Sequence, residues 1–234
     1  MAVQEIGGLE AAQKLSRRQL SWRAAQEIDE GLYVNLGIGL PTLCTNFIPD
    51  DREVVLHSEN GILGAGPNPP KGEEDKDLIN ASKEYITLVP GASVFVHSDA
   101  FAMIRGGHID LALLGAFEVS ATGDLANWTT GDPKFPPGVG GAMDLAAGAR
   151  AVWALTQHTA KSGAPKIVEK CSYPLTSAGT VTKIFTDLAV IDVTPAGLVV
   201  RELVAGLSLA DLQNVTEPKL TLADDWQVLA PPAL

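Results

Sequence analysis

The feature that most constrains the fold is a series of short apolar segments, each ended by a polar or glycine-rich turn. Residues 109–114, Ile-Asp-Leu-Ala-Leu-Leu, carry apolar side chains at positions that face both sides of a strand, which is typical of strands buried in a parallel sheet. Similar segments occur at 32–36, 53–57, 149–155, 181–185, 188–193 and 198–203. We therefore predict an α/β fold with an open, mainly parallel sheet, flanking helices and some antiparallel edge strands.

Helices and loops are predicted between these strands. Residues Ser16 to Glu30 have an amphipathic pattern that ends at Gly31. Ser98 is a candidate cap for a helix that reaches Arg105, where two glycines end it. The remaining predictions are strands at 86–89 and 93–97, a hairpin at 118–125, a short helix at 207–214 and a surface loop at 67–77.

Composition bounds the class of protein. With 234 residues, 46% hydrophobic and 19% charged, the chain is predicted to form one packed domain over residues 1–234, in which about 1–15 and 216–234 are terminal segments that the pattern defines less well. Lys and Arg number 17 against 28 Asp and Glu, so the net charge is −11. An acidic protein of this kind lacks the basic surface that nucleic-acid binding needs.

The sequence also indicates where the protein acts. Cys44 and Cys171 are predicted to be reduced, which favours the cytoplasm. Met1 to Ser16 lacks the apolar core of a signal peptide, and no apolar stretch approaches the ~20 residues of a membrane helix. The four histidines lack the spacing of metal ligands, so no metal is expected.

Candidate site residues follow the strands, because ligands of open α/β sheets gather at the carboxyl ends of the strands. Glu59 stands directly after an apolar strand and before the turn at Gly61, although most glutamates in such positions are simply solvated. His57 lies two residues earlier, so we expect it on the same face of the strand. The sequence Gly37-Ile38-Gly39 is not a dinucleotide fingerprint, because Pro41 interrupts it and the third glycine is absent.

Several motifs together resemble one family. Leu56 to Gly64 is similar to the Ser-Glu-Asn-Gly signature of the second, or beta, subunit of the 3-oxoacid CoA-transferases. Five further segments resemble that family in the same order, and the resemblance runs from about Leu15 to about Leu212. It implies the CoA-transferase (NagB/RpiA-like) fold. The five segments are 34–41, 77–81, 103–108, 124–128 and 140–145.

The resemblance implies that Glu59 is the catalytic nucleophile and carries CoA covalently during turnover, with no tightly bound cofactor. A carboxylate suits this reaction, because it can itself become the CoA thioester, whereas serine or cysteine would keep the acyl group. The backbone N–H groups of Gly140 and Gly141 are implied oxyanion donors. Asn35 and Lys83 are implied to lie near Glu59 and the CoA moiety.

The same resemblance implies a separate α chain as partner, commonly two copies of each subunit, and succinyl-CoA plus a 3-oxoacid as substrates. Residues 72–75, His57 and 171–176 are most similar to the 3-oxoadipate branch, and acetoacetate is the alternative acceptor. Arg105 is a candidate cation for the distal carboxylate of 3-oxoadipate, unless it pairs with a carboxylate of the chain. Two other classes stay open: a non-catalytic CoA-binding or regulatory protein, and an enzyme that hydrolyses or opens CoA-linked rings without a glutamyl thioester.

Overall fold

The computed structural model describes residues 8–9, 12–134 and 136–234. The α-helices of this part are α1 Arg17–Gln26, α2 His97–Arg105, α3 Ala142–Gly148 and α4 Leu209–Gln213, and a 3₁₀-helix covers Pro41–Asn46. The strands are β1 Tyr33–Leu36, β2 Val55–Ser58, β3 Ile62–Ala65, β4 Leu88–Val94, β5 Leu111–Gly115, β6 Glu118–Ser120, β7 Leu125–Ala126, β8 Ala151–Leu155, β9 Ile167–Val168, β10 Val181–Phe185, β11 Ala189–Thr194, β12 Gly197–Val204 and β13 Leu220–Leu229.

The main sheet of the described residues has the strand order β13-β12-β11-β10-β8-β5-β1-β2-β3-β4. Its central strands β10, β8, β5, β1 and β2 are parallel to one another, while β3 and β4 on one side and β11 and β12 on the other continue it by antiparallel pairing. A smaller sheet contains β7, β6 and β9. The predicted fold class is confirmed, and the carboxyl ends of the parallel strands meet at one edge.

The core lies around β5. Leu111, Ala112, Leu113 and Leu114 are all buried, so this strand is covered on both faces as its apolar sequence predicts. Helices contribute buried side chains to the same cluster, among them Leu20, Ile104 and Leu145. The buried central strands give the site at their ends a rigid base.

Helix α1 is shorter than predicted. It begins after Ser16, whose side chain accepts a hydrogen bond from Gln19 N in a capping box. It ends at Gln26, whereas the amphipathic pattern predicts an end at Glu30. The Arg52 guanidinium donates to the carbonyl oxygens of Gln26 and Ile28, at 2.8 and 2.7 Å. Through this contact, carbonyl groups at the end of the helix and just after it have a hydrogen-bond donor outside the helix.

The prediction for residues 86–97 is wrong in detail. One strand, β4, replaces the two predicted strands, and His97 begins helix α2 instead of ending a strand. The residue that caps α2 is Val96, without a side-chain hydrogen bond, so Ser98 is not the cap. β4 is the outer strand of the sheet, and its pairing with β3 is irregular. Most of its side chains are exposed, so its sequence lacks a clear alternation of apolar and polar residues.

Five elements were not predicted: the 3₁₀-helix, β3, β9, α3 and β13. The longest, β13, lies in the terminal segment 216–234 and pairs in parallel with β12 at the outer edge of the sheet. In the other terminal segment, residues 1–7, 10 and 11 lie outside the described residues. Within the described part of the chain, no helix is long and apolar enough to span a membrane.

Candidate active site

A cavity of about 840 Å³ opens at the carboxyl ends of the parallel strands. Its walls come from the turns after β1, β2, β5, β8 and β10 and from the glycine-rich loop before α3. It therefore lies where ligands of open α/β sheets bind. The residues from these turns and this loop are Gly37, Ile38, Gly39, Glu59, Asn60, Ala116, Phe117, Thr156, Gln157, Asp187, Gly138, Val139, Gly140 and Gly141.

Glu59 occupies a tight turn between β2 and β3, as predicted. Gly61 N donates to Ser58 O at 3.0 Å and closes the turn, and Phe95 N donates to Gly61 O at 2.9 Å. Gly61 has φ +113°, and a Cβ atom there would lie 2.1 Å from Phe95 O. Only glycine fits this position, so the backbone of the turn that carries Glu59 is fixed against the neighbouring chain.

The residues on either side of Glu59 tie this turn to the segment 77–81. Ser58 Oγ accepts a hydrogen bond from Ala81 N at 3.0 Å, and Asn60 Nδ2 donates to Ile79 O at 2.7 Å. Two of the motifs that carry the family resemblance are therefore in direct contact. Their side chains support the turn, while the Glu59 carboxylate stays available to the cavity.

Asn35 holds the Glu59 carboxylate from the neighbouring strand. Its Nδ2 donates to Glu59 Oε2 at 3.1 Å and to the His57 carbonyl at 3.2 Å. Because both of these oxygens only accept, the amide nitrogen and not the amide oxygen faces them. The Asn35 side chain is fully buried on β1, beside His57 in the strand register. The structure places Asn35 beside Glu59, as the resemblance implies.

His57 contributes to the site through Asn35. Its Nδ1 lies 3.1 Å from Asn35 Nδ2. An amide nitrogen only donates, and its two hydrogens serve two at a time of three neighbouring acceptors, which are His57 Nδ1, the His57 carbonyl and Glu59 Oε2. Burial lowers the pKa of His57 to about 4, so the ring is neutral near pH 7. The link between His57 and Glu59 is thus an oriented amide and not a direct contact of side chains.

Gly140 and Gly141 lie in the wall opposite the turn. A Cβ atom on Gly141 would be 3.8 Å from Glu59 Cγ and 3.2 Å from Phe101 Cζ, so the backbone approaches the glutamate closely. Among the hydrogen bonds of the described residues, none uses the N–H of Gly140 or Gly141 as donor. Both glycines line the cavity.

The loop is anchored by an ion pair between two helices. Arg105 Nε at the end of α2 lies 2.7 Å from Asp144 Oδ1 in α3. Arg105 therefore pairs with a carboxylate of the chain, which was the alternative to binding the distal carboxylate of 3-oxoadipate. It does not line the cavity. The side chain is largely exposed, so its energetic contribution is modest and its geometric effect on the loop matters more.

Lys83 is not brought together with Glu59. It is exposed, has φ +65°, and lies outside the cavity lining, while its backbone N donates to Asn80 O at 2.9 Å. Its implied contact with CoA stays a prediction.

Sequence reasoning missed several residues that line the cavity, among them His97, Phe101 and Lys166. His97 Nδ1 donates to the carbonyl oxygen of Glu59 at 2.8 Å, because a carbonyl only accepts. The His97 ring packs on Phe101 with 4.7 Å between ring centroids. Lys166 also lines the cavity. All three are distant from Glu59 in sequence, and no spacing rule connects them to it.

The sequence matches the family model described as "Coenzyme A transferase" over residues 18–210. With its strand-end cavity, glycine loop and turn glutamate, the chain belongs to the coenzyme A transferase family. It is 56% identical to the B subunit of the 3-oxoadipate CoA-transferase of Acinetobacter baylyi over 203 residues, which cover 87% of this chain and 94% of that protein. It is 50% identical over 204 residues to the B subunit of a probable succinyl-CoA:3-ketoacid coenzyme A transferase of Bacillus subtilis, again covering 87% and 94%.

The fold is shared with solved structures. The apoenzyme of an acyl-CoA transferase (YdiF) from Escherichia coli O157:H7 superimposes with a TM-score of 0.72 at 18% identity. The match covers 92% of this chain and 43% of that chain, so the present chain corresponds to less than half of it. At this identity the likeness concerns the fold, and together with the family match it confirms the predicted resemblance.

The turn glycine is testable by a matched pair of variants. Gly72→Ala, at φ +93° with nothing within 4 Å of the added Cβ, is expected to cost about 1–2 kcal/mol of unfolding free energy for the left-handed backbone alone. Gly61→Ala adds the collision with Phe95 O and should cost about 1–3 kcal/mol more. Denaturant unfolding measures both. Equal losses would show that the close approach to Phe95 does not constrain the turn.

Proposed function

We propose that this chain is the Glu-bearing subunit of an enzyme that moves CoA from succinyl-CoA to a 3-oxoacid, with Glu59 as nucleophile. One observation carries the proposal: the Glu59 carboxylate accepts a hydrogen bond from buried Asn35 in a cavity that Gly140 and Gly141 also line, and the N–H groups of these two glycines have no acceptor among the described residues. We further propose that residues 1–234 act as one CoA-transferase unit.

The proposed reaction begins when a Glu59 oxygen attacks the thioester carbonyl carbon of the donor. The C–S bond breaks, and a mixed anhydride and CoA thiolate result. The thiolate then attacks the glutamyl carbonyl carbon, which releases the donor acid as a carboxylate and leaves a thioester between Glu59 and CoA. The acceptor carboxylate attacks this thioester, and both steps run in reverse to give the new acyl-CoA.

Each attack places a negative charge on a tetrahedral oxygen. Gly140 and Gly141 N–H groups are proposed to donate to this oxygen, and their fixed backbone would need little rearrangement. Asn35 orients the carboxylate for attack, and His57 fixes the Asn35 amide. Lys83 is proposed to contact the CoA moiety outside this cavity.

A separate partner subunit is proposed, with two copies of each chain in the assembly. Two relatives are named as B subunits, and the matching part of the solved acyl-CoA transferase is less than half of its chain. The outer strand β4 and the residues after it expose Val89, Val94 and Val96, a surface that another subunit would cover. The free Cys44 and Cys171 are compatible with a cytoplasmic location, which we also propose.

The proposed acceptor is 3-oxoadipate, after the relative at 56% identity, and the alternative is the ketoacid of the relative at 50%. Acetoacetate lacks the distal carboxylate of 3-oxoadipate. A site built to bind that group rejects an analogue without it strongly. Two further alternatives, a non-catalytic CoA-binding or regulatory protein and a CoA-dependent hydrolase without a glutamyl thioester, form no adduct at Glu59.

The nucleophile is tested with the enzyme assembled from both subunits. Incubation with succinyl-CoA and no acceptor should add CoA to the peptide that contains Glu59, as detected by mass spectrometry, and the kinetics should be ping-pong. Glu59→Ala should abolish both transfer and adduct while the subunits still assemble. Glu73→Ala, in the exposed loop, is the control and should behave as wild type. Transfer by freshly prepared Glu59→Ala enzyme at more than a small fraction of the wild-type rate refutes the nucleophile.

The need for a partner gives a second expected outcome. This chain alone should show no transfer and should self-associate through its exposed apolar surface, and adding the partner subunit should restore both activity and a defined mass. Sedimentation and activity measured on the same preparation decide this. Full activity of a homogeneous preparation of this chain alone contradicts a shared site.

The acceptor is identified by competition between two acids. The ratio of kcat/KM for 3-oxoadipate over acetoacetate should be on the order of 10² or more, because acetoacetate leaves the groups that bind the distal carboxylate without a partner. Equal use of the two acids, or a preference for acetoacetate, would assign the chain to the ketoacid branch and would leave the role of Glu59 unchanged.

A further inference from the structure

Lys166 lines the same cavity as Glu59 and lies on the chain just before β9. Its Nζ donates to Thr156 Oγ1 at 2.9 Å and lies 3.4 Å from the carbonyl oxygen of Ala116. Thr156 Oγ1 in turn donates to Ala116 O at 2.9 Å. These two acceptors directly follow β8 and β5, so the ammonium group is held at the carboxyl ends of two central strands.

Both oxygens that hold Lys166 are uncharged. Within the described residues, the ion pairs do not include Lys166, although two of its three N–H donors are engaged. The nearby Asp187 carboxylate accepts a hydrogen bond from His158 N at 2.7 Å. Burial lowers the pKa of Lys166, and the charge of Asp187 opposes this. An ammonium group in this setting gains from an anion that a ligand brings.

The distance along the sheet fits one class of ligand. β5 and β8 are the second and third strands from β2, so at ~4.8 Å per strand roughly 10–14 Å separate their ends from the end of β2. The carboxyl carbons of extended four- and six-carbon diacids are about 4–6.5 Å apart, given C–C bonds of ~1.5 Å. Contacts of ~3 Å at each end bring the span to about 10–12 Å.

We propose that Lys166 binds the distal carboxylate of a dicarboxylic acyl group whose thioester carbonyl faces Glu59. This inference rests on the proposed function and specifies its substrate class. In a ping-pong reaction the donor and acceptor acids occupy the same acyl site in turn. One cation therefore serves both the succinyl group and a 3-oxo diacid, and a monocarboxylic acyl group leaves it unused.

The other cation that lines the cavity within the described residues is Arg17. Its side chain is exposed at the first residue of α1, so water already solvates its charge. An exposed ion pair contributes little, whereas a partly buried ammonium on neutral oxygens discriminates between charged and uncharged ligands. Lys166 is therefore the residue that sets specificity in this proposal.

The test uses the assembled enzyme and two donors, succinyl-CoA and acetoacetyl-CoA, which lacks the distal carboxylate. Lys166→Met keeps an unbranched side chain, one atom shorter, and removes the charge. We expect the second-order rate of adduct formation to fall on the order of 10²-fold with succinyl-CoA and to change little with acetoacetyl-CoA. Lys166→Arg should recover part of the loss, and Lys170→Met, at an exposed position outside the cavity, is the matched control.

The ratio of the adduct-formation rates with the two donors distinguishes a role of Lys166 in specificity from a role in folding. A structural lysine would lower both rates together, and an irrelevant one would lower neither, and either result overturns the inference. Failure of the proposed function looks different, because the wild-type enzyme would then form no adduct at Glu59 with any donor. The 3-oxoadipate to acetoacetate ratio as acceptors should fall in Lys166→Met by a similar factor.

Discussion

The candidate site depends on the register between two adjacent parallel strands. Asn35 on β1 is paired with His57 on β2, and this alignment lets one buried amide reach the His57 carbonyl, the His57 ring and the Glu59 carboxylate. A shift of one residue would turn Asn35 to the other face of the sheet. Because β1 lies between β2 and β5 in the sheet, burial on both faces specifies that register.

The second wall of the site is positioned by close packing of two helices. A Cβ atom on Gly148 in α3 would lie 2.2 Å from Ile104 O in α2, so these backbones are in contact. The Arg105 to Asp144 ion pair joins the same helices at the surface. Helix α2 also carries His97, which binds the Glu59 carbonyl. One helix therefore holds both the turn with Glu59 and the loop with Gly140 and Gly141.

Much of the fold was predictable, because apolar periodicity reports burial. The central strands and the turn at Glu59 follow directly from it. Elements at the sheet edges were not predictable in this way: β4 is exposed and irregular, and within the described residues β13 pairs only with β12. Within the site, the place of Glu59 after a strand made it a candidate, and the family resemblance implied its role and the position of Asn35. Lys166 and His97 were missed, because their relation to Glu59 arises only when distant segments pack together.

The way Glu59 is held bears on what it can do. Other carboxylates of the described residues, such as Glu27 and Asp192, are paired with Arg or Lys side chains, which stabilises their charge. Glu59 instead accepts from a neutral amide, and the histidine behind that amide is uncharged because burial lowers its pKa to about 4. A cation at this point would stabilise the ground-state carboxylate more than a transition state in which its charge is leaving, and would slow attack. A neutral donor orients the oxygen without that penalty. Lys166 satisfies the same requirement. Its ammonium is held by oxygens that follow β5 and β8, and no ion pair of the described residues joins it to Glu59.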